Sequence, residues 1–329
     1  MKKAELGFIG IDVSKLTLDI CILTDQENSF VIKNTKREIL KFFKTHLKEI
    51  HLSYVCIENT GKYSWLLMEL LPELNCKFYV VNPLHLKRSM GLTRGKNDKI
   101  DAIRIAQFIK KNHNEINSYV SRREEIQLIQ ILLSERTFKV EQRKKLTTKN
   151  KEYLILSNKT IARKLTTKNN SLIKLLAKQI KELETEIKIL IKQDEALNNL
   201  NKQLKSVPGV GPILCWNIIV KTNEFKSIIE PRKLACYSGV VPFSNSSGAS
   251  IFGKNRVSIY ADKSLKRLLH LGAMSAIRLE NDLAIYYQRK VEEGKNKMSV
   301  LNAVRNKIIH IIFALIKNQD FYKNRLVVS

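Results

Sequence analysis

Residues 6–33 read LGFIGIDVSKLTLDICILTDQENSFVIK. Three runs, LGFIGIDV, LTLDICIL and SFVIK, are dense in apolar and β-branched residues, and short polar turns break them. Such a composition is the signature of consecutive strands. A helical segment follows at 37–49, then a strand at SYVCIE, a helix at YSWLLMELL and a strand at KFYVVN that stops at Asn82-Pro83. Strands that give way to alternating helices predict an α/β sheet covered by helices. Beyond residue 99 the pattern turns helical and stays so through the middle of the chain.

Within that helical stretch Leu176, Leu183, Leu190, Leu197 and Leu204 recur every seven residues. Ile173, Ile180 and Ile187 stand three residues ahead of the first three leucines. Leucine at d and isoleucine at a favour a parallel two-stranded coiled coil between chains, and that reading is put first. Asp194 and Asn201 take the next two a positions, where they weaken the seam but fix its register. The alternative is a helical hairpin within one chain, with 125–150 folded back on 171–204. Either way the stretch is an interaction arm. At Val207 the segment VPGVGP brings two prolines and two glycines into six residues, which places a boundary at 205. A loop-rich segment over 231–258 and helices over 263–318 complete the chain. The expected domains are therefore 1–122, 123–204 and 205–329.

Lysine and arginine number 58 against 31 aspartates and glutamates, a formal charge of +27. The excess lies mostly beyond residue 105. It exceeds what solubility requires and implies a polyanionic partner. With no lipidation signal or basic amphipathic anchor, nucleic acid fits better than a membrane surface. Binding should then weaken steeply with salt as neutralised phosphates release counterions. No signal peptide is expected, and the most apolar stretch, IIHIIFALI at 308–316, is too short for a membrane span. Five cysteines without a CxxC pair indicate neither a disulfide framework nor a zinc knuckle. A reduced, cytoplasmic protein is expected.

Four acids stand out. Asp12 closes the first strand, Glu58 closes the strand YVCIE, and Asp98 and Asp101 lie in KNDKIDA at a helix start. A spacing of three puts the last two on one helical face. Asp12 and Glu58 interrupt runs of buried-type residues, where an unpaired carboxylate is costly. Converging carboxylates of this kind suit Mg²⁺ or Mn²⁺, which can orient and activate phosphodiester oxygens. Farther on, VPGVGP resembles a helix-hairpin-helix turn, whose glycines let a phosphate approach the backbone, although a plain interhelical turn has the same spacing. The loop YSGVVPFSNSSGASIFGK contains Ser238, Ser244, Ser246, Ser247 and Ser250 among Gly239, Gly248 and Gly253. A serine beside glycine can attack phosphorus when activated, but from composition alone a flexible turn is the better reading of the loop.

Taken in order, Asp12 in GIDVSK, Glu58 in IENTG, the pair in KNDKIDA, the hairpin LKSVPGVGPI and YSGVVPFSNSSG resemble the bacterial insertion-sequence transposases of the one-ten type, which include the Piv-like DNA invertases. The resemblance implies an N-terminal RuvC-like domain of RNase H fold, a helical coiled-coil arm and a mainly helical C-terminal transposase domain. It further implies an acidic tetrad, matched here by Asp12, Glu58, Asp98 and Asp101, that binds Mg²⁺ or Mn²⁺. Gly239, Pro242 and Ser247-Gly248 fall on the family's glycine–proline–serine-glycine motif, so the resemblance makes Ser247 the nucleophile. Ser246 and Ser244 depart from the pattern by standing beside it. Donor and target DNA, a structured non-coding guide RNA and a homodimer or homotetramer are the partners implied, with action at the nucleoid. The rival readings are a RuvC-like nuclease working through water and a non-catalytic basic nucleic-acid-binding protein.

Overall fold

A computed structural model describes residues 6–46, 53–59, 61–74, 76–89, 97–247 and 251–324, leaving aside the side chains of 243–256. The chain divides into two compact units, Met1–Ser121 and Arg122–Ser329.

In the first unit the runs singled out above become β1 (Gly7–Val13), β2 (Thr17–Leu23) and β3 (Glu27–Lys33), joined by β4 (Ser53–Glu58) and β5 (Lys77–Val81). The sheet order is β3-β2-β1-β4-β5, antiparallel from β3 to β1 and parallel from β1 to β5. Alternation along β1 sorts its side chains between two layers. Ile9, Ile11 and Val13 pack with Phe42 and Phe43 of α1 (Lys36–His46) and with Leu67 and Leu70 of α2 (Trp65–Leu70). Phe8 faces the other way, with Ile105, Phe108 and Ile109 of α4 (Asp98–Asn112). A short α3 (Pro83–Ser89) follows β5, where the sequence signalled only a strand end. This small mixed sheet beside a mostly helical remainder is compatible with an RNase H-like domain followed by a helical region.

Glycine decides how close α4 comes. A Cβ on Gly10 of β1 would collide with the backbone oxygen of Ala102 and the backbone nitrogen of Ala106. Gly10→Ala must therefore push α4 off the sheet, with an overpacking cost of roughly 1–3 kcal/mol. Urea unfolding should show that loss as a lowered midpoint. An unchanged midpoint in Gly10→Ala would mean that the close approach is dispensable.

In the second unit α5 (Glu124–Tyr153) and α6 (Lys159–Gln193) form an antiparallel pair, followed by α7 (Glu195–Ser206), α8 (Pro212–Thr222) and α9 (Pro231–Tyr237). A hairpin of β6 (Phe243–Ser247) and β7 (Ile251–Arg256) precedes α10 (Lys263–Ala276), α11 (Asp282–Glu292) and α12 (Lys297–Asn318).

The heptad seam corrects the preferred expectation of pairing between chains, because α5 of the same chain lies along it. Arg136 donates to Glu184 at 2.7 Å, Lys139 to Gln179 at 3.1 Å, and Asn150 and Asn170 pair at 2.9 Å, so polar bonds fix the register. Nor does the repeat run straight through. Asp194 ends α6 and caps α7, accepting from the Leu197 amide at 2.9 Å, and it also pairs with Arg123. Asn201 accepts from Trp216 Nε1 at 3.2 Å. Leu197 and Leu204 consequently leave the arm and enter one core with Ile126, Ile129, Leu133, Trp216 and the C-terminal helices. The arm and the C-terminal region are thus one compact unit, and 204/205 does not divide them.

The expected loop over 231–258 contains α9 and the β6–β7 hairpin. Helix α12 is long and apolar enough by composition to cross a membrane, more so than the segment 308–316 suggested. Its Val300, Val304, Ile308, Ile309 and Ile312 are instead buried in the core of this unit.

Candidate active site

Strand register gathers the acids. Asp12 on β1 and Glu58 on β4 stand one step past the last paired residues, Ile11 and Ile57. In-register neighbours share a sheet face, so both belong to the face that Gly10 presents to α4. That helix starts at Asp98, with Asn97 as its cap, accepting from the Lys99 amide at 3.2 Å. Asp98 and Asp101 both stand in its first turn.

The electrostatics report the convergence. Burial and the negative charges of Asp98, Glu58 and Asp101 push the Asp12 carboxyl from 3.8 up to about 6. Asp101 is held by Arg104, whose Nη1 donates to Oδ1 at 2.8 Å. Among the described residues no three acids, histidines or cysteines close into a ready-made metal cage. The donor set nevertheless fits a divalent ion: four hard carboxylates repel one another around a half-buried Asp12, a cost that a cation relieves.

The structure also places an acid there that the sequence reading passed over. Asp19 of β2 pairs in register with Asp12, and burial together with Asp98 pushes its carboxyl upward. The signal was available, since Asp19 interrupts LTLDICIL as Asp12 interrupts the first run.

A stability test follows from the raised Asp12. Its folded value lies above its ordinary 3.8, so the native chain holds a proton that the unfolded chain releases. Stability therefore falls as pH rises from about 4 to about 6 and stays lowered above that. Mg²⁺ should raise the melting temperature more at about pH 7.5 than at about pH 5. In Asp12→Asn this pH-dependent part of the gain should vanish. An equal Mg²⁺ effect at both pH values would remove Asp12 from the ion's surroundings.

Ser247 belongs to the second unit, where it closes β6 opposite Ile251. Its side chain and those of Ser244 and Ser246 lie outside the described residues, as do Gly248 and Ser250. Ser238 is fully buried and donates to the Ala235 carbonyl at 3.2 Å, so its hydroxyl is committed to the fold. The segment that enters the hairpin is tied on both sides. Asp262, just beyond β7, donates its amide to the Tyr237 carbonyl at 2.8 Å and accepts from Tyr237 Oη at 3.2 Å. Lys221 of α8 pairs with the same carboxylate at 2.9 Å. That pair, with the Leu265 amide, holds Asp262 below the usual carboxylate range against the opposing effect of burial.

At VPGVGP, Gly209 has φ +81° and rests against the backbone of Gly272 in α10, where a Cβ would collide. Gly211 caps α8 and Pro212 starts it. A groove of about 820 Å³ opens along this turn, lined also by Arg136, Lys205 and Arg267.

Comparison with known proteins finds two family matches along the chain. A family profile of the IS110 DEDD type, described as "Transposase", matches residues 9–158. The profile "Transposase IS116/IS110/IS902 family" matches residues 201–288. The pilin gene-inverting protein of Moraxella lacunata is 26% identical over 97% of this chain and 98% of its own length. The transposase for insertion sequence element IS1111A of Coxiella burnetii is 23% identical over 97% of this chain and 92% of its own. A protein of insertion element IS110 from Streptomyces coelicolor is 28% identical over 45% of this chain and 35% of its own. With both profiles matched in order and relatives aligned from end to end, the protein belongs to the IS110 family and is a DNA transposase or recombinase.

Proposed function

We propose that this chain cuts and rejoins DNA by attack of Ser247 on phosphorus, assisted by a divalent metal at Asp12, Glu58, Asp98 and Asp101, and guided by a structured non-coding RNA. The observation that carries the reading is the Asp12 carboxyl, pushed up to about 6 by burial and by the other three acids. Burial is the larger cause, and the three carboxylates add to it because they lie near enough to act on Asp12. Mg²⁺ or Mn²⁺ bound by these carboxylates would polarise the scissile phosphate and ease ionisation of the attacking hydroxyl.

Ser247 Oγ loses its proton and forms a bond to phosphorus, while the bond from phosphorus to the leaving sugar oxygen breaks and that oxygen takes up a proton. The product is a phosphoserine ester, which conserves the bond for attack by a hydroxyl of the second DNA. No ATP is consumed. Arg104 at Asp101 holds one carboxylate in place until substrate arrives. The VPGVGP turn and the cations of its groove would hold a DNA backbone without reading sequence. The acids and Ser247 stand in separate units, which suits a dimer or tetramer in which one copy's serine serves another's acids. Because α5 covers the leucine seam, the copies would meet through other surfaces. The site of action is the nucleoid.

End-labelled donor DNA on a denaturing gel tests the reading. A covalent protein–DNA adduct in Mg²⁺ supports it, whereas free hydroxyl ends without adduct point to a water-using nuclease.

A further inference from the structure

Helix α12 carries a buried charge with no counter-charge among the described residues. Arg305 lies on its core-facing stripe with Leu301, Val304, Ile308 and Ile312 and is 7% exposed. Among the described residues the guanidinium has only neutral hydrogen-bond partners. Nη1 donates to Asn302 Oδ1 at 3.3 Å and Nη2 donates to His270 Nδ1 at 2.8 Å. Nε has no partner. A charged group taken out of water without a counter-charge costs several kcal/mol and is rarely kept without a purpose.

Further donors stand around it. His270 accepts through Nδ1, so its proton sits on Nε2, which adds a donor; burial and the guanidinium both pull its pKa down. Lys266, one turn earlier on α10, places Nζ 3.9 Å from where a Cβ on Gly239 would stand. Asn302 ties this cluster to the chain entering β6, donating from Nδ2 to the Val240 carbonyl at 2.7 Å. Asp262, the carboxylate nearest in sequence to Lys266, is already engaged by Lys221 and Tyr237.

We infer that Arg305, His270 and Lys266 form a receptor for a backbone phosphate of the bound nucleic acid, seated beside the 238–241 segment that leads into the Ser247 strand. Arginine suits the task because its planar fork offers paired donors to phosphate oxygens, and its low hydration tolerates burial. If Ser247 is the nucleophile, as proposed above, this receptor fixes the DNA strand at the root of the hairpin carrying it. The bond to Val240 gives the receptor a direct mechanical link to that hairpin.

Inorganic phosphate is the first probe, used with the full chain and compared with chloride at equal ionic strength. Wild type should gain several degrees in melting temperature, and Arg305→Met should lose that gain while melting no lower than wild type in chloride. Lys266→Met, at a half-exposed position that leaves the core untouched, should cut the gain as well. Cleavage of donor DNA by Arg305→Met should fall roughly 100-fold, the loss typical of removing one preorganised donor, with partial recovery in Arg305→Lys. DNA and RNA of equal length, each titrated against both variants, then identify which nucleic acid supplies the phosphate. No phosphate gain in wild type, or an equal gain in wild type and both methionine variants, would overturn the receptor. So would an Arg305→Met chain destabilised equally in both salts, since that marks a purely structural cation. Failure of the serine reading looks different: wild type makes no adduct while the phosphate gain persists.

Discussion

Ser247→Ala is expected to lose the covalent adduct entirely while its complexes with DNA and guide RNA form as in wild type. The substitution removes the attacking oxygen and no positive charge, so the salt dependence of binding should not change. Ser246→Ala and Ser244→Ala should be far milder. Ser247→Cys should keep at most a trace, because a thiolate is a larger, softer ligand poorly matched to Mg²⁺. Mass spectrometry of the linked peptide decides between neighbours. An adduct that survives in Ser247→Ala and disappears in Ser246→Ala would move the nucleophile one residue back.

The second large effect is expected at the acids. Asp12→Asn and Asp101→Asn each delete one ligand charge and keep the side-chain shape. Loss of an outer-shell partner of a bound metal costs roughly 10–100-fold, so loss of a direct ligand should cost at least about 100-fold in strand exchange. The two variants should differ in one respect. Asp101→Asn also releases Arg104 from its ion pair, whereas Asp12→Asn relieves the repulsion that raises the Asp12 carboxyl. Asp12→Asn should therefore be the more stable of the two at neutral pH without metal, although both are inactive. Strand exchange at the wild-type rate in either variant would sink the metal-site assignment.

How much of this was legible in the sequence depended on whether a residue broke a pattern. Asp12 and Glu58 were visible because each interrupts an apolar run that must be a strand. Asp19 gave the same signal and was passed over, since a single acid on a strand usually faces water. The partner of α6 was hidden for another reason. The inward stripe of α5 begins with Ile126, Ile129 and Leu133 but continues through Arg136, which reads as surface until Glu184 is seen opposite it. The β6–β7 hairpin was hidden by its composition, because FSNSS and IFGKNR lack the β-branched density that marks a strand. Arg305 was hidden by rarity. An arginine within an apolar helix reads as solvated, and only its position between Leu301 and Ile308 on one stripe argues otherwise.

The paired helices of the arm have a consequence for how the protein tolerates change in length. Helix α5 has 30 residues and so spans roughly 45 Å. At its far end Leu154 and Ile155 are 71% and 85% exposed. The two helices of this hairpin are locked to each other by bonds at fixed stations, Arg136 to Glu184 near the middle and Asn150 to Asn170 near the tip. The arm is thus a ruler graduated in heptads. Adding seven residues to both helices would carry the apolar tip roughly 10 Å farther out with every station still matched. Adding seven to one helix alone would set the graduations against each other.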